Sequence, residues 1–132
     1  MTTMICLLVT AALLHLGSKA GLVILQSKEK GGYDNNTPRA QQARLANTAK
    51  GVRALSAHQN QIESFPLFAA GVIVSCTLVT PNDMLIGIAM AHIVARILYL
   101  VLYALDIATI RTLVWAVGYA SSLALIASPL WV

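Results

Sequence analysis

Four long blocks of apolar residues limit what this chain can fold into. They run over about 4–25, 64–80, 84–105 and 113–131. A helix needs about 20 largely apolar residues to cross a bilayer, and the short second block can be extended toward its N-terminus. We therefore predict an all-α membrane protein, one domain over 1–132, with four transmembrane helices in an antiparallel bundle. The predicted spans are about 4–25, 47–80, 84–105 and 109–131.

The composition agrees with a membrane location. Hydrophobic residues make up 58% of the chain and charged residues 11%, against about 25% charged residues in soluble domains. Mean hydropathy is +0.73. These values exclude a soluble nucleic-acid binder, a disordered tail and a disulfide-stapled mini-protein. Cys6 and Cys76 both lie within apolar stretches, where thiols usually behave as small buried hydrophobic groups.

The first apolar block could be a signal peptide or a retained span. Signal peptides begin with a positively charged region, but no Lys or Arg precedes Lys19. The block is also longer than the apolar region of such a peptide. We expect a retained transmembrane helix.

The basic residues predict the orientation in the membrane. Most of them lie in or beside the connection between the first two spans: Lys19, Lys28, Lys30, Arg39, Arg44, Lys50 and Arg53. Cytoplasmic loops are enriched in Lys and Arg, so we expect the loop 26–46 in the cytoplasm and both termini on the other side. Anionic lipid is a possible contact of this loop; nucleic acid is not an expected partner. Compact loops favour a bacterial inner membrane.

A turn-rich segment, 31–38, separates the first helix from the second. Thr37 and Pro38 match a helix start, with Thr37 as the N-cap and Pro38 at the first helical position. Strong helix formers follow as far as Gly51. One long second helix, from Pro38 to Thr80 with a kink at Pro66, is therefore expected.

Polar residues recur at helical spacing inside three of the predicted spans. Ionisable groups in spans cost about 2.5 to 3.5 kcal/mol each on insertion scales, so they need a reason to be there. The stripes are Arg53, Ser56, Asn60 and Glu63 on the second helix, Arg96, Tyr99 and Tyr103 on the third, and Arg111, Trp115, Tyr119 and Ser122 on the fourth. They could converge on a polar pocket near one membrane face, or Glu63 could simply pair with Arg96 or Arg111.

The histidines do not indicate a metal site. His15, His58 and His92 lie on three different helices without a short ligand spacing, and we predict no bound metal. His58 lies near Asn60 and could line the pocket. No Ser or Cys has an evident triad partner, and no phosphate-binding glycine loop is present.

Three motifs resemble the MAPEG family, the membrane-associated proteins in eicosanoid and glutathione metabolism. The first contains Ala-His-x-Asn-x-x-Glu at 57–63, followed by Pro66. The second is Ala-Arg-x-x-Tyr-x-x-x-Tyr at 95–103, and the third is Arg-x-x-x-Trp-x-x-Gly at 111–118. The resemblance covers nearly the whole chain, including the four apolar blocks and the basic first loop.

The resemblance implies a homotrimer that binds glutathione between subunits. By its motifs, Asn60 and Glu63 would contact the glutathione peptide, and Tyr99 and Tyr103 would contact the same ligand. Arg111 lies near the arginine that approaches the thiol in several of these enzymes. Arg53, His58 and Arg96 complete the predicted binding set. Ser56 departs from the family, since many glutathione enzymes have an arginine at this position.

The chemistry of glutathione fits these residue types. Its two carboxylates suit arginines, its ammonium suits Glu63, and a nearby cation such as Arg111 favours the nucleophilic thiolate. We thus expect a glutathione-dependent transferase or peroxidase-like enzyme that acts on a lipophilic small molecule from the membrane. The alternatives are a non-enzymatic lipid-binding member of this fold, which Ser56 favours, and a small proton-coupled multidrug exporter with Glu63 as the coupling site.

Overall fold

The protein is entirely helical. A computed structural model describes residues 1–132. Its helices are α1 (Thr2–Ser27), α2 (Pro38–Leu45), α3 (Ala49–Thr77), α4 (Asp83–Ala104) and α5 (Ala108–Ile126), and a short 3-10 turn follows at Ser128–Leu130. The predicted all-α class is therefore confirmed.

Three helices, α1, α4 and α5, are long and apolar enough to cross a membrane. The other long helix, α3, carries Lys50, Arg53 and Glu63 in its first half and becomes apolar only after Ser64. That α3 also crosses the membrane, as the second of the four predicted spans, stays a prediction.

The four long helices, α1, α3, α4 and α5, pack side by side. At one end, which we call the loop end, α3 begins beside the connection between α4 and α5, since Arg53 pairs with Asp106. At the other end α3 finishes beside α5, where the Ser75 hydroxyl donates to the Leu125 carbonyl at 3.2 Å. Gly71 lets these two helices approach, because a Cβ there would lie 2.8 Å from that of Leu125. Small residues at such crossings are typical of membrane helices.

The apolar core lies away from the loop end. Eight buried residues form it, contributed by all four long helices: Met4, Ala11, Phe68, Val72, Leu85, Ala89, Ile93 and Leu125. Many other large apolar side chains point outward, among them Leu13, Ile73, Val94 and Leu113. An outer surface of this kind suits contact with lipid tails rather than water.

The expectation of one helix from Pro38 to Thr80 is wrong, because the chain breaks at 46–48 between α2 and α3. Thr48 has extended backbone dihedrals, and its hydroxyl accepts the amide of Gly51 as the N-cap of α3. Gly51 lies so close to the end of α2 that a Cβ there would be 2.0 Å from the Leu45 carbonyl oxygen. Through Pro66, by contrast, α3 continues as one helix.

The loop before α2 is anchored by buried amides. Gln26 and Gln41 are fully buried, and the Gln41 amide donates to the carbonyls of Gln26 and Gly32 at 3.0 and 2.8 Å. Thr37 and Pro38 begin α2 as predicted, although the Thr37 hydroxyl donates to Asp34. That bond and the backbone amides of Thr37 and Asn36 hold the pKa of the Asp34 carboxyl below its ordinary value.

Replacing Gly51 with Ala should destabilise the protein. A methyl group at this position meets the backbone of Leu45, and overpacking of this kind costs roughly 1 to 3 kcal/mol. We expect the unfolding midpoint in mixed micelles to occur at a lower fraction of dodecyl sulfate. Gly87→Ala is the matched control, since a Cβ at this helical glycine meets nothing within 4 Å. Equal midpoints for the two variants would contradict the close approach at Gly51.

Candidate functional site

An open groove of about 390 Å³ runs along α3 and α4 near the loop end. Its walls are Leu55, Ser56, Gln59, Asn60 and Glu63 from α3, with Tyr99 and Tyr103 from α4. Spacings of three and four place each set on one face of its helix. Four of the predicted site residues, Asn60, Glu63, Tyr99 and Tyr103, are therefore brought together.

The amide of Asn60 is oriented by Arg96 from behind. The Nη1 atom of Arg96 donates to Oδ1 of Asn60 at 2.7 Å. Because an arginine can only donate, the atom facing it must be the amide oxygen. The amide nitrogen of Asn60, with its two hydrogens, is left for the groove, so Asn60 presents donors to a ligand.

Arg96 itself is buried, with 1% of its surface exposed, and does not line the groove. Its guanidinium carbon lies 4.7 Å from the centre of the Tyr99 ring. On the α5 side it packs against Gly118, where an added Cβ would stand 3.0 Å from Nη2. The structure thus places this predicted binding residue behind Asn60, as its support.

Two tyrosines and an arginine stack along one side of the groove. The Tyr99 and Tyr103 rings meet edge to face, with their centres 5.1 Å apart. The guanidinium carbon of Arg111, at the start of α5, lies 4.0 Å from the centre of the Tyr103 ring. Cations attract aromatic faces at this range, so Arg111 is held beside the groove without a carboxylate partner.

Glu63 lies exposed on the groove wall, and its carboxylate accepts a bond from Gln59 at 3.3 Å. The alternative in which Glu63 pairs with Arg96 or Arg111 is wrong, because the ion pairs of the structure join Arg44 to Glu29 and Arg53 to Asp106. Arg96 and Arg111 face away from it, toward Asn60 and Tyr103. The carboxylate of Glu63 is therefore available to a ligand cation.

The remaining predicted residues, Arg53 and His58, do not line this groove. Arg53 turns toward the α4 and α5 connection and bonds Asp106 at 3.0 Å. His58 turns toward α1, where its Nδ1 lies 2.8 Å from the Ser18 hydroxyl. Since that hydroxyl also donates to the His15 carbonyl at 2.7 Å, its proton is already engaged. The third histidine, His92, is buried between α4 and α5, where its Nδ1 lies 2.9 Å from the Gly118 carbonyl and 3.0 Å from the Ser122 hydroxyl.

Some residues at the loop end were not expected from the sequence. Leu55 and Gln59 complete the groove wall. Gln59 lies three residues after Ser56 and four before Glu63, and Leu55 lies four before Gln59, so helical spacing was an available signal. Ser18 and Lys50 line a second cavity of about 330 Å³ between α1, α3 and α4. Residues so distant along the chain meet only through the packing of α1 on α3, for which the sequence carries no local signal.

The groove offers a consistent set of chemical groups. Asn60 supplies amide donors, Tyr99 and Tyr103 line the wall, Glu63 supplies one negative charge, and Arg111 supplies a cation at the edge. No three His, Cys, Asp or Glu side chains lie together as a metal-binding group. The arrangement suits a polar, zwitterionic ligand better than an apolar one.

Comparison with known proteins supports the same reading of the motifs. No curated protein and no solved structure matches the chain. A model of the MAPEG family, however, matches residues 2–131, nearly the whole length. The match includes all three motifs around the groove, and the chain belongs to the MAPEG family.

Proposed function

We propose that the protein is a glutathione-dependent transferase or peroxidase that acts on lipophilic electrophiles. The observation that carries this proposal is the groove in which donors from Asn60, the Glu63 carboxylate and the two tyrosines face one space. Glutathione carries two carboxylates, one ammonium and a thiol. Asn60 would bind an acceptor group of the peptide, and Glu63 would bind the ammonium.

Arg111 is the proposed activating residue. A free thiol has a pKa of about 8.5, so only a few per cent is thiolate at pH 7. A cation close to the sulfur stabilises the thiolate, and Arg111 is the arginine beside the groove. The thiolate would attack an electrophile that enters from the lipid, which accounts for an enzyme of this kind lying in a membrane.

The groove also supports the proposal of a homotrimer. It is open along one side, and no cationic side chain lines it, although the ligand has two carboxylates to neutralise. A neighbouring subunit that covers the open side could supply further cations. The proposed ligand would then lie between subunits.

The proposed location is a bacterial inner membrane, with the loop end in the cytoplasm and both termini outside. Lys28, Lys30, Arg39 and Arg44 all belong to the loop end, in keeping with the enrichment of basic residues in cytoplasmic loops. Glutathione is water-soluble, and a groove at this end would receive it from the cytosol.

A non-enzymatic, lipid-binding role is the second candidate, and Ser56 is the observation that favours it. Ser56 lies in the groove wall, where the resemblance would place an arginine for a glutathione carboxylate. Bound lipid without formation of a glutathione thiolate would establish this second role. A glutathione titration followed by thiolate absorbance therefore separates the two functions.

Asn60→Asp should weaken glutathione binding while the fold persists. Asp keeps a partner for Arg96 but replaces the donors that face the groove with an acceptor. Hydrogen bonds to charged groups contribute about 1.5 to 3 kcal/mol, so we expect the dissociation constant to rise roughly tenfold to a hundredfold. Isothermal titration of the detergent-solubilised protein measures it.

The control for this variant is Gln59→Glu, which adds the same negative charge to the same groove. If the two variants lost affinity equally, charge repulsion alone would explain the result. The donor role of Asn60 would then be refuted.

Arg111→Ala should uncouple binding from activation. We expect glutathione still to bind, while the pKa of its thiol returns toward about 8.5 and the thiolate absorbance at pH 7 falls. Conjugation of a generic aromatic electrophile should fall with it. Arg39→Ala, on the exposed surface of α2, is the matched control. Unchanged thiolate absorbance in the Arg111 variant would remove its assigned role.

A further inference from the structure

A second cavity at the loop end is distinct from the groove. It lies between α1, α3 and α4 and has a volume of about 330 Å³, within the range of about 300 to 1,000 Å³ found for ligand sites. We propose that it binds one anionic phospholipid from the cytoplasmic leaflet, with the phosphate at its basic mouth and an acyl chain along its apolar walls. This proposal does not depend on glutathione binding.

Glycines on α1 make room for the cavity. Gly17 and Gly21 lie one turn apart on its wall, and a Cβ built on either would meet no atom within 4 Å. Ala54 and Ala57 on the facing side of α3 are equally small. The three helices therefore leave a slot between them that a flexible chain can enter.

The mouth of the cavity is positively charged. Lys50 and Arg53 line it from the first turns of α3. Arg53 pairs with Asp106 at 3.0 Å, and 64% of the Asp106 side chain is exposed, whereas Lys50 has no ion-pair partner. One positive charge is thus left over, which matches the single negative charge of a phosphodiester.

Charge and polarity change with depth in the way a lipid requires. Lys50 and Arg53 lie at the loop end of α3, while Ala57 lies one to two turns deeper. On α4, which runs toward the loop end, Leu100 lies deeper than Tyr103. Basic pockets between transmembrane helices on the cytoplasmic side are known to hold anionic headgroups. The cavity has basic side chains at the loop end and apolar walls deeper in the protein.

Glutathione is a poor candidate for this cavity. No carboxylate lines it to receive an ammonium group, and half of its ten lining residues are hydrophobic. Tyr103 borders both this cavity and the groove, so the two sites are neighbours that share one wall residue. A phospholipid therefore matches this cavity better than a zwitterionic peptide does.

Native mass spectrometry of the full chain in mild detergent tests the proposal. The protein is mixed with phosphatidylglycerol or with phosphatidylcholine of the same acyl chains, and retained lipid is counted. We expect one phosphatidylglycerol per chain, retained about fivefold more tightly than phosphatidylcholine, since one cation near anionic lipid contributes about this factor.

Two pairs of matched variants locate the lipid. Lys50→Gln should abolish the preference for phosphatidylglycerol, whereas Lys30→Gln, in the exposed loop, should keep it. Gly21→Leu should fill the slot and reduce retention of both lipids, whereas Gly87→Leu, at an open helical glycine on α4, should not. A glutathione titration of the same samples should be unchanged by Lys50→Gln, which keeps a failure of this proposal separate from a failure of the proposed function.

Three results would overturn the lipid site. They are equal retention of the two lipids, equal behaviour within either pair of variants, and complete displacement of phosphatidylglycerol by oleate at equal concentration. The last result would assign the cavity to a fatty acid instead.

Discussion

The buried guanidinium of Arg96 is the constraint on which the candidate site depends. It lies where α3, α4 and α5 meet, bonded to Asn60, against Tyr99 and close to Gly118. It has no carboxylate partner, so its charge is stabilised by the Asn60 amide oxygen and by the face of the Tyr99 ring. A buried cation held in this way costs free energy, and the structure uses it to orient a groove residue rather than to close an ion pair.

The break between α2 and α3 has a comparable organising effect at the loop end. Thr48 follows the end of α2 and is the N-cap of α3. Gly51, which has no side chain, allows the first turn of α3 to pack against the Leu45 carbonyl at the end of α2. The first turns of α3 then carry Lys50 and Arg53 to the mouth of the second cavity.

The sequence predicted the features that follow from periodicity and hydropathy. Apolar runs located α1, α4 and α5. Spacings of three and four placed Asn60 and Glu63 on one face of α3, and Tyr99 and Tyr103 on one face of α4. The match of the family model to residues 2–131 confirms the resemblance seen in the three motifs.

Directions and contacts set by tertiary packing could not be predicted. Spacing places Arg96 and Tyr99 on the same face of α4, but it does not determine the direction of a long side chain. Arg96 turns into the protein interior, away from the groove. The contact of His58 with Ser18 joins residues 40 positions apart. The helix break could not be predicted because strong helix formers dominate 39–50, and only Asn47, the capping Thr48 and Gly51 mark it.

The position of Tyr103 has one further consequence. Its ring lines two spaces of similar size, about 330 and 390 Å³, and the Arg111 guanidinium lies against its face. A change of its rotamer would therefore reshape both spaces and break the contact with Arg111. The shapes of the two sites are therefore linked through one shared side chain.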